Sequence, residues 1–298
     1  MTSLFDLPLQ RLEANGIRLA ARVGGEGPPL LLLHGHPQTH VIWHRMWPEL
    51  TRHRTCVAVD LRGYGDSDKP PASPDHASHS KRAMAQDLAD LMTRLGFAHF
   101  DVLAHDRGAR AAHRLALDHA GRVGRMMLLD IAPTLDMYEA TTRAFAQAYW
   151  HWFWLIQPAP LPETMIERDG AFYVRAVMGG RSGGLAHFAP EVLAEYERCA
   201  GLPGWATGVC EDYRASATLD LEHDRQGRQA GERVRQPLRV LWGERGVVGA
   251  NFDVLGLWSA VADDVSGQAV PSGHYLPEEA PGYVLREAAA FFGWPAAD

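Results

Sequence analysis

Short apolar runs recur along the chain and alternate with longer stretches of helical periodicity. A run that is apolar at every position is typical of a strand buried on both faces, and such strands belong to parallel sheets covered by helices. Two further strands are predicted near the end of the chain. The pattern therefore predicts an α/β fold with a mostly parallel sheet and helices on both of its faces. The predicted strands are residues 30–33, 56–59, 102–104, 126–129, 238–242 and 266–270.

Three other segments carry clear signals of local structure. Apolar and polar positions alternate over residues 11–20 around the Asn-Gly pair at 15–16, which is a strong signal for a β-hairpin. A helical pattern begins near Ser80 and is predicted to end at Gly96, because glycine often terminates helices. The last helix is predicted over residues 280–292.

The character of the chain changes between residues 136 and 228. This stretch contains an aromatic-rich segment at 149–154 and a proline-broken segment at 157–162, and it carries no strand pattern. We expect a helical insertion that forms a cap over the carboxyl edge of the sheet. The core would then consist of residues 1–135 and 229–298, with the cap at 136–228 between them.

Composition places the chain among ordinary globular proteins. It has 298 residues, 46% of them hydrophobic, and a formal net charge of −7, which argues against nucleic acid or an anionic membrane surface as a partner. Cys56, Cys199 and Cys210 are few and have no metal-like spacing, so we expect a reducing compartment and no metal site. The N-terminus shows no secretory signal, and the longest aliphatic run, 30–33, is too short to span a bilayer. These features predict a cytoplasmic protein.

Asp106 is the first candidate for chemistry, because it follows a predicted strand and precedes a helical pattern. Strand, sharp turn and helix form the context of a nucleophile elbow, and small residues such as Ala104 and Gly108 permit so tight a turn. An aspartate in this place attacks saturated carbon and forms an alkyl ester, which suits dehalogenation or epoxide opening. The alternative is an aspartate that only caps the helix.

Hydrolysis of such an ester requires a base to activate water. His274 is the candidate, since it lies in a glycine-containing loop after the last predicted strand. Hydrolases of this type often carry an aspartate in a Trp-Gly-x-x-Asp pattern after the next-to-last strand, but here Gly246 occupies that position. Asp130, at the end of the strand after the elbow helix, is the substitute we favour as triad acid, and Glu244 is its rival.

Arg107 and Arg110 lie one and four residues after Asp106, at the start of the predicted helix. Residues three apart lie on nearly the same helix face, and arginine binds carboxylates bidentately, so the pair predicts a carboxylate-bearing substrate. The alternative is that Arg110 only pairs with Asp106 or lies on the surface.

Two further groups of residues are expected to complete the pocket. The loop at 34–39 follows the first buried strand and would face the nucleophile, where it can offer backbone N–H groups. His151, Trp152 and Tyr213 in the cap carry three hydrogen-bond donors that could converge on a departing halide. An aromatic stripe of this kind is more often part of a core, and spacing alone does not decide between the two.

With these residues assembled, the chain resembles the fluoroacetate (haloacetate) dehalogenases of the α/β-hydrolase fold over nearly its whole length. The resemblance implies Asp106 as nucleophile, His274 as base and Asp130 as triad acid. It also implies a homodimer without metal or organic cofactor. Arginines after the nucleophile would hold the substrate carboxylate, and the cap donors would hold fluoride. The motifs that carry the resemblance are His34–Thr39, His105–Arg110, Trp150–Trp152, Gln157–Glu163, Cys210–Arg214 and Ser272–Glu279.

Two positions depart from the family pattern. Position 36 is usually aromatic, and here it is His36. A tryptophan expected near position 181 is replaced by Arg181, within the glycine-rich segment 178–184. Both changes alter the shape and polarity of the expected pocket, but they leave the predicted chemical groups in place.

The expected function is hydrolytic dehalogenation of a small anionic 2-haloacid, such as fluoroacetate or chloroacetate, to the hydroxy acid. An epoxide hydrolase with the same Asp and His residues is the main alternative. Arg107 argues against it, and also against a haloalkane dehalogenase, because those substrates have no carboxylate. A small-molecule receptor on an inactive hydrolase scaffold remains the non-enzymatic alternative.

Overall fold

The computed structural model describes residues 2–181 and 183–295, so that Met1, Ser182 and residues 296–298 lie outside it. Eight described strands form one sheet in the order β1-β2-β4-β3-β5-β6-β7-β8. From β4 onward across the sheet all pairings are parallel, while β1–β2 and β2–β4 are antiparallel. The predicted mostly parallel sheet is thus confirmed. The strands are β1 Gln10–Ala14, β2 Ile17–Gly24, β3 Pro29–Leu33, β4 Thr55–Val59, β5 Phe100–His105, β6 Val123–Leu129, β7 Leu238–Gly243 and β8 Val265–Val270.

The helices cover both faces of this sheet. None of the described helices has the length and apolar character needed to cross a membrane. Three short 3-10 helices accompany them at Leu4–Asp6, His40–Trp43 and Ala77–His79. The α-helices are α1 Trp47–Leu50, α2 Lys81–Arg94, α3 Asp106–Asp118, α4 Thr134–Glu139, α5 Arg143–Ala148, α6 Trp150–Leu155, α7 Leu161–Arg168, α8 Gly170–Gly179, α9 Pro190–Ala200, α10 Trp205–Ala217, α11 Leu219–Gln229, α12 Val247–Asn251, α13 Val254–Val261, α14 Leu276–Glu279 and α15 Pro281–Phe292.

Local signals in the sequence explain several element boundaries. The β1–β2 turn places both Asn15 (φ 47°) and Gly16 (φ 76°) in the left-handed region, which Asn and Gly adopt more readily than other residues. The Ser80 hydroxyl accepts a hydrogen bond from the Ala83 N–H and caps α2, and Gly96 follows the end of that helix with φ 85°. The predicted hairpin and helix boundaries agree with these elements.

The buried core lies on both faces of the sheet. Leu31 and Leu33 pack into one cluster of buried side chains, while Leu30 and Leu32 pack into another. Because successive side chains of a strand point to opposite faces, a run buried on both faces must be apolar throughout. The cluster that contains Leu31 continues without a break into helices α5, α6 and α10.

Helices α4–α11, which we call the cap helices, lie between β6 and β7 in the chain, and every described element among them is helical. Their span, 134–229, coincides closely with the segment in which a helical insertion was expected. Because apolar side chains of the cap helices share a cluster with the sheet, these helices pack against the core.

Candidate active site

Asp106 lies at the junction of β5 and α3, with φ 46° and only 2% of its surface exposed. A non-glycine residue in the left-handed region marks local strain that surrounding structure must stabilise. The turn brings backbones very close together. A Cβ atom at Gly108 would lie 2.4 Å from the His34 carbonyl oxygen, and one at Gly35 would lie 2.4 Å from the Asp106 Cβ. Glycine is therefore required at both positions.

The Asp106 carboxylate turns toward the loop after β3. The His36 N–H donates to its Oδ1 at 2.9 Å, and its Oδ2 lies 3.8 Å from His274 Nε2. Residue 105 takes the N-cap position of α3, without any side-chain capping bond. Asp106 is therefore not the N-cap residue of α3. Its hydrogen bond at Oδ1 supports the alternative role of a reactive carboxylate. Burial alone would raise the pKa of Asp106, but the positive charges of Arg181 and Arg110 help to hold it well below its usual value.

His274 contacts the carboxylate of Asp130, which also has a positive φ of 52°. The Nδ1 of His274 lies 2.5 Å from Asp130 Oδ2, and the Gly243 N–H donates to Asp130 Oδ1 at 2.9 Å. Burial lowers the pKa of His274 to about 3, with the charge of Arg181 acting in the same direction. The imidazole is therefore uncharged at neutral pH, as a base must be. Glu244, the rival acid, is exposed.

Arg107 is fully buried, and its guanidinium is turned toward Asp212 on α10. Its Nε and Nη2 atoms donate to the two carboxylate oxygens of Asp212 at 2.8 and 2.6 Å. Lys81 contacts the same carboxylate. The Nη1 atom of Arg107 is buried and has no partner among the described residues. The bidentate face expected to bind substrate is thus occupied by Asp212, and one NH₂ group remains for a ligand.

Arg110 is held by uncharged acceptors instead. Its Nη1 donates to the Ala132 carbonyl at 3.1 Å and to the Thr134 hydroxyl at 2.9 Å. Its guanidinium carbon lies 4.7 Å from the centre of the Trp152 ring, within cation–π distance. Its Nε is buried and unpartnered within the described part of the chain. An ion pair between Arg110 and Asp106 is not seen between these two described side chains.

The three cap donors lie together, with the Tyr213 ring 5.9 Å from that of His151 and 6.3 Å from that of Trp152, but they differ in their hydrogen bonding. Trp152 Nε1 and the Tyr213 hydroxyl are buried and contact no hydrogen-bond partner in the described ranges. His151 Nε2 lies 2.7 Å from Nη2 of Arg181. Because a guanidinium can only donate, His151 Nε2 accepts this bond and cannot donate to a ligand at the same time.

Both departures from the family pattern lie within the site. His36 Nε2 lies 2.8 Å from the Tyr173 hydroxyl, and its ring stacks on His151 with centroids 6.1 Å apart. Arg181 is 7% exposed, and its guanidinium carbon lies 5.0 Å from the centre of the Tyr149 ring. The pocket is therefore lined by more polar groups than aromatic residues at 36 and 181 would supply.

Three residues that contact the site were not singled out from the sequence. Asp212 orients Arg107, the Tyr149 hydroxyl lies 3.4 Å from His274 Nδ1, and Tyr173 contacts His36. Asp212 belongs to the Cys-Glu-Asp-Tyr-Arg segment that carries part of the family resemblance. That motif was the sequence signal that could have identified Asp212. For Tyr149 and Tyr173, the only signal was their position in aromatic or apolar helices.

One cluster of potential metal ligands occurs among the described residues, and it lies outside this site. Asp66, Glu195 and Cys199 bring ligand atoms within 4.8 Å of one another. Arg198 already bonds both carboxylates, at 2.6 Å to Asp66 Oδ2 and 2.7 Å to Glu195 Oε1. An arginine between two carboxylates accounts for this cluster without a metal.

A match to the alpha/beta hydrolase fold family extends over residues 28–279, and the chain belongs to this family. Among its relatives, the fluoroacetate dehalogenase of a Burkholderia species is 41% identical over 93% of this chain and 91% of that protein. The resemblance inferred from the sequence motifs is thereby confirmed.

Two other relatives widen the comparison. The soluble epoxide hydrolase of Corynebacterium sp. (strain C12) is 33% identical over 93% of this chain and 94% of its own. A crystal structure from Nostoc sp. PCC 7120, provisionally described as an alpha/beta hydrolase, is 48% identical. It superposes with a TM-score of 0.94 over 97% of this chain and 99% of that one.

Proposed function

We propose that the protein hydrolyses the carbon–halogen bond of a small 2-haloacid, converting fluoroacetate or chloroacetate to glycolate. The observation that carries the proposal is the ionised, buried Asp106 beside two arginine side chains that each keep an unpartnered N–H group. The similarity to the Burkholderia fluoroacetate dehalogenase supports the same reaction. The resemblance also implies a homodimer without metal or organic cofactor, and the N-terminal sequence and sparse cysteines predict a cytoplasmic location. These points stay predictions.

In the first step, Asp106 attacks the α-carbon from the side opposite the halogen. A carbon–oxygen bond forms, and the halide leaves with the electron pair of the broken bond. Because Oδ1 already accepts the His36 N–H, Oδ2 is the oxygen that attacks. The low pKa of Asp106 keeps the nucleophile ionised, and its burial removes water that would weaken it.

In the second step, His274 removes a proton from water and the resulting hydroxide adds to the ester carbonyl carbon. The negative charge that develops on Oδ1 is stabilised by the His36 N–H. The alkoxide of the hydroxy acid then leaves the tetrahedral intermediate and takes up the proton held by His274. The second proton of the water is released to solvent, which restores the Asp106 carboxylate. Asp130 accepts from His274 Nδ1 and stabilises the imidazolium that forms between these events.

The substrate carboxylate is proposed to lie between Arg107 Nη1 and Arg110 Nε, with one charged donor for each oxygen. Trp152 Nε1 and the Tyr213 hydroxyl are the cap donors proposed to meet the halide. Each of these four atoms is buried without a partner in the described part of the protein, as groups awaiting a ligand would be.

An epoxide hydrolase is the second candidate, favoured by the Corynebacterium relative and by the buried Tyr213 hydroxyl, which could protonate an epoxide oxygen. The sequence argument against an epoxide substrate rested on the charge of Arg107. That argument is weaker in the structure, because Asp212 pairs with the Arg107 guanidinium. Arg110, however, has no carboxylate partner among its described contacts. A buried cation of this kind favours an anionic substrate over a neutral epoxide.

The test is to incubate the purified protein with fluoroacetate, chloroacetate, a styrene-type epoxide and a haloalkane. Released halide and diol are then measured for each compound. Halide release from the two haloacids, with little reaction of the neutral compounds, is the expected result. Diol formation without halide release would instead assign the epoxide hydrolase activity. Inertness toward all four compounds would favour a receptor.

A further inference from the structure

Arg181 is the one arginine of the site that lies outside both helix α3 and the predicted carboxylate site. It follows helix α8 of the cap helices and is 93% buried, with its Nη2 atom 2.7 Å from His151 Nε2. Its guanidinium carbon lies 5.0 and 5.6 Å from the ring centres of Tyr149 and Tyr275. These contacts hold the side chain in one orientation from three sides.

The charge of Arg181 is not matched by a carboxylate among its described contacts, which are an imidazole and two aromatic rings. Its Nη1 atom is buried with no hydrogen-bond partner in the described ranges. In the free protein the ionised Asp106 supplies compensating negative charge. That charge disappears when Asp106 becomes an ester, and a buried cation is then unfavourable unless another anion offsets it. An anion is therefore expected next to this side chain during function.

The proposed first step moves one negative charge from Asp106 to the departing halide, so that the substrate carboxylate and the halide are the two anions in the pocket. While Asp106 becomes an uncharged ester, the substrate carboxylate and the departing halide both carry negative charge. Arg107 is paired with Asp212, so Arg110 and Arg181 are the two arginines of the pocket without a carboxylate partner among the described residues. Each anion can thus have one cation.

The positions of the two arginines indicate which anion each one takes. Arg110 lies on α3 directly behind the nucleophile, where the substrate carboxylate is proposed to bind. Arg181 is hydrogen-bonded to His151, whose ring lies 5.9 Å from that of Tyr213, on the side of the cap donors. The cap donors are the groups expected around the halide.

We propose that Arg181 is a catalytic residue that donates an N–H hydrogen bond from Nη1 to the leaving halide, while His151 acts as the acceptor that positions it. The proposal rests on the dehalogenase function above. As the Asp106–carbon bond forms, the halide departs with the bonding electron pair and accepts the Arg181 hydrogen bond, and no proton is transferred. The halide site is then cationic rather than built from uncharged donors alone.

A cationic halide site has two measurable consequences. Hydrogen bonds to ionised donors are about twice as strong as those between neutral groups, and fluoride, with its dense charge, gains more from them than chloride does. The product halide is also held more tightly, so that added bromide or chloride should inhibit the enzyme by competing for the site.

The experiment compares wild-type protein with Arg181→Gln, which keeps an uncharged donor, and Arg181→Lys, which keeps the charge. Arg175→Gln is the matched control, because Arg175 lies on helix α8 with its side chain 56% exposed and paired with Glu197. The readouts are kcat/KM for fluoroacetate and chloroacetate, and bromide affinity measured by quenching of tryptophan fluorescence. A melting temperature for each variant reports whether it folds.

Arg181→Gln is expected to weaken bromide binding by about tenfold to a hundredfold, the loss of one charged hydrogen bond. It should lower defluorination more than dechlorination, while Arg181→Lys retains most of the bromide affinity and Arg175→Gln changes nothing. If Arg181→Gln does not fold, the comparison of Arg181→Lys with Arg181→Met supplies the same contrast.

Two results would overturn the proposal. Equal proportional losses on both haloacids with unchanged bromide affinity would mean that Arg181 only packs the cap. A loss confined to a chlorinated dicarboxylate, such as chlorosuccinate, would mean that Arg181 binds a second carboxylate. The proposed function fails separately if the wild-type protein releases no halide from any haloacid. In that case the bromide titration still shows whether Arg181 contributes to halide binding.

Discussion

The sheet edge and the cap helices contribute to the same site in different ways. At the sheet edge, backbone N–H groups of His36 and Gly243 hold the carboxylates of Asp106 and Asp130. In the cap, Trp152 Nε1 and the Tyr213 hydroxyl have no partner among the described residues, whereas His151 Nε2 accepts from Arg181. One half of the site is complete in itself, while the other is built to receive a ligand.

This difference indicates that the sheet edge determines the reaction, whereas the cap helices determine which substrate is bound. Groups held by backbone atoms depend on the fold and tolerate side-chain changes elsewhere. The cap donors depend on side-chain packing, and His151 Nε2, for example, accepts a hydrogen bond from Arg181. Relatives named as a dehalogenase and as an epoxide hydrolase both match more than nine-tenths of this chain.

The largest expected effect comes from breaking the sheet edge at Asp130. In Asp130→Asn the amide donates to His274 Nδ1 and favours the wrong tautomer of the imidazole, so ester hydrolysis should fall by roughly 10³–10⁴-fold. Alkylation of Asp106 should continue, and pre-steady-state halide release measures it. Glu244→Gln is the control. If it impaired hydrolysis as strongly as Asp130→Asn, the triad acid would be Glu244.

Substitution of the α3 arginines tests the carboxylate site that joins the two regions. Arg107→Lys and Arg110→Lys should each lower kcat/KM for chloroacetate by about tenfold or more, because a point charge cannot reproduce the guanidinium geometry. Arg107→Lys should be the more damaging, since it also loses two bonds to Asp212.

The matched control for these variants is Arg114→Lys. Arg114 is buried on the same helix but pairs with Asp118 and Asp224. The Arg114→Lys substitution is therefore expected to leave activity unchanged. Chloroacetamide, which lacks the carboxylate, should react equally with all three variants and the wild type. A loss on the amide as large as that on the acid would mean that the α3 arginines support the fold and do not bind the carboxylate.

Removal of one cap donor should have a smaller effect that depends on the halogen. Trp152→Phe keeps an aromatic ring beneath Arg110 but removes the indole N–H, so defluorination should fall several-fold more than dechlorination. Initial rates on fluoroacetate and chloroacetate at one pH measure the difference. Trp150→Phe, at a neighbouring residue that is 41% exposed, is the control. Equal proportional losses in Trp152→Phe would remove it from the halide pocket.

Acid titration measures how the buried histidines of the core affect the stability of the protein. Burial lowers the pKa of His36 and His113 to about 3 and that of His79 and His105 to about 4, and all four belong to the core. The unfolded chain therefore binds protons below about pH 6.5 that the folded chain does not, and stability is lost as the pH falls. At pH 5.5 the loss is roughly 1 kcal/mol for each histidine. Urea unfolding at pH 7.5 and 5.5 measures it, and equal stability would contradict neutral buried histidines.

Much of the sheet edge could be predicted from the sequence because local patterns determine it. The apolar runs predicted four of the strands, and the small residues around Asp106 marked the elbow. Asp130 followed from its place after a strand and from Gly246 standing where an aspartate is usual. Each of these inferences needs only neighbouring residues or chain order, which a sequence displays directly.

The pairings within the cap and between the two regions could not be predicted in this way. Arg107 was expected to bind substrate through its bidentate face, but Asp212, more than a hundred residues later, occupies that face. Likewise, Arg181 was noticed as a departure, while its hydrogen bond to His151 depends on how helices α6 and α8 pack. Long-range contacts of this kind have no periodicity or spacing from which to infer them.

The most direct test of the account is the mass of His274→Asn after incubation with excess chloroacetate. Formation of the ester needs no base, whereas its hydrolysis does, so a stable adduct should accumulate. Intact-mass spectrometry followed by peptide mapping should locate one carboxymethyl group on the peptide that contains Asp106. An unmodified protein, or an adduct on another residue, would contradict the central claim that Asp106 is the nucleophile.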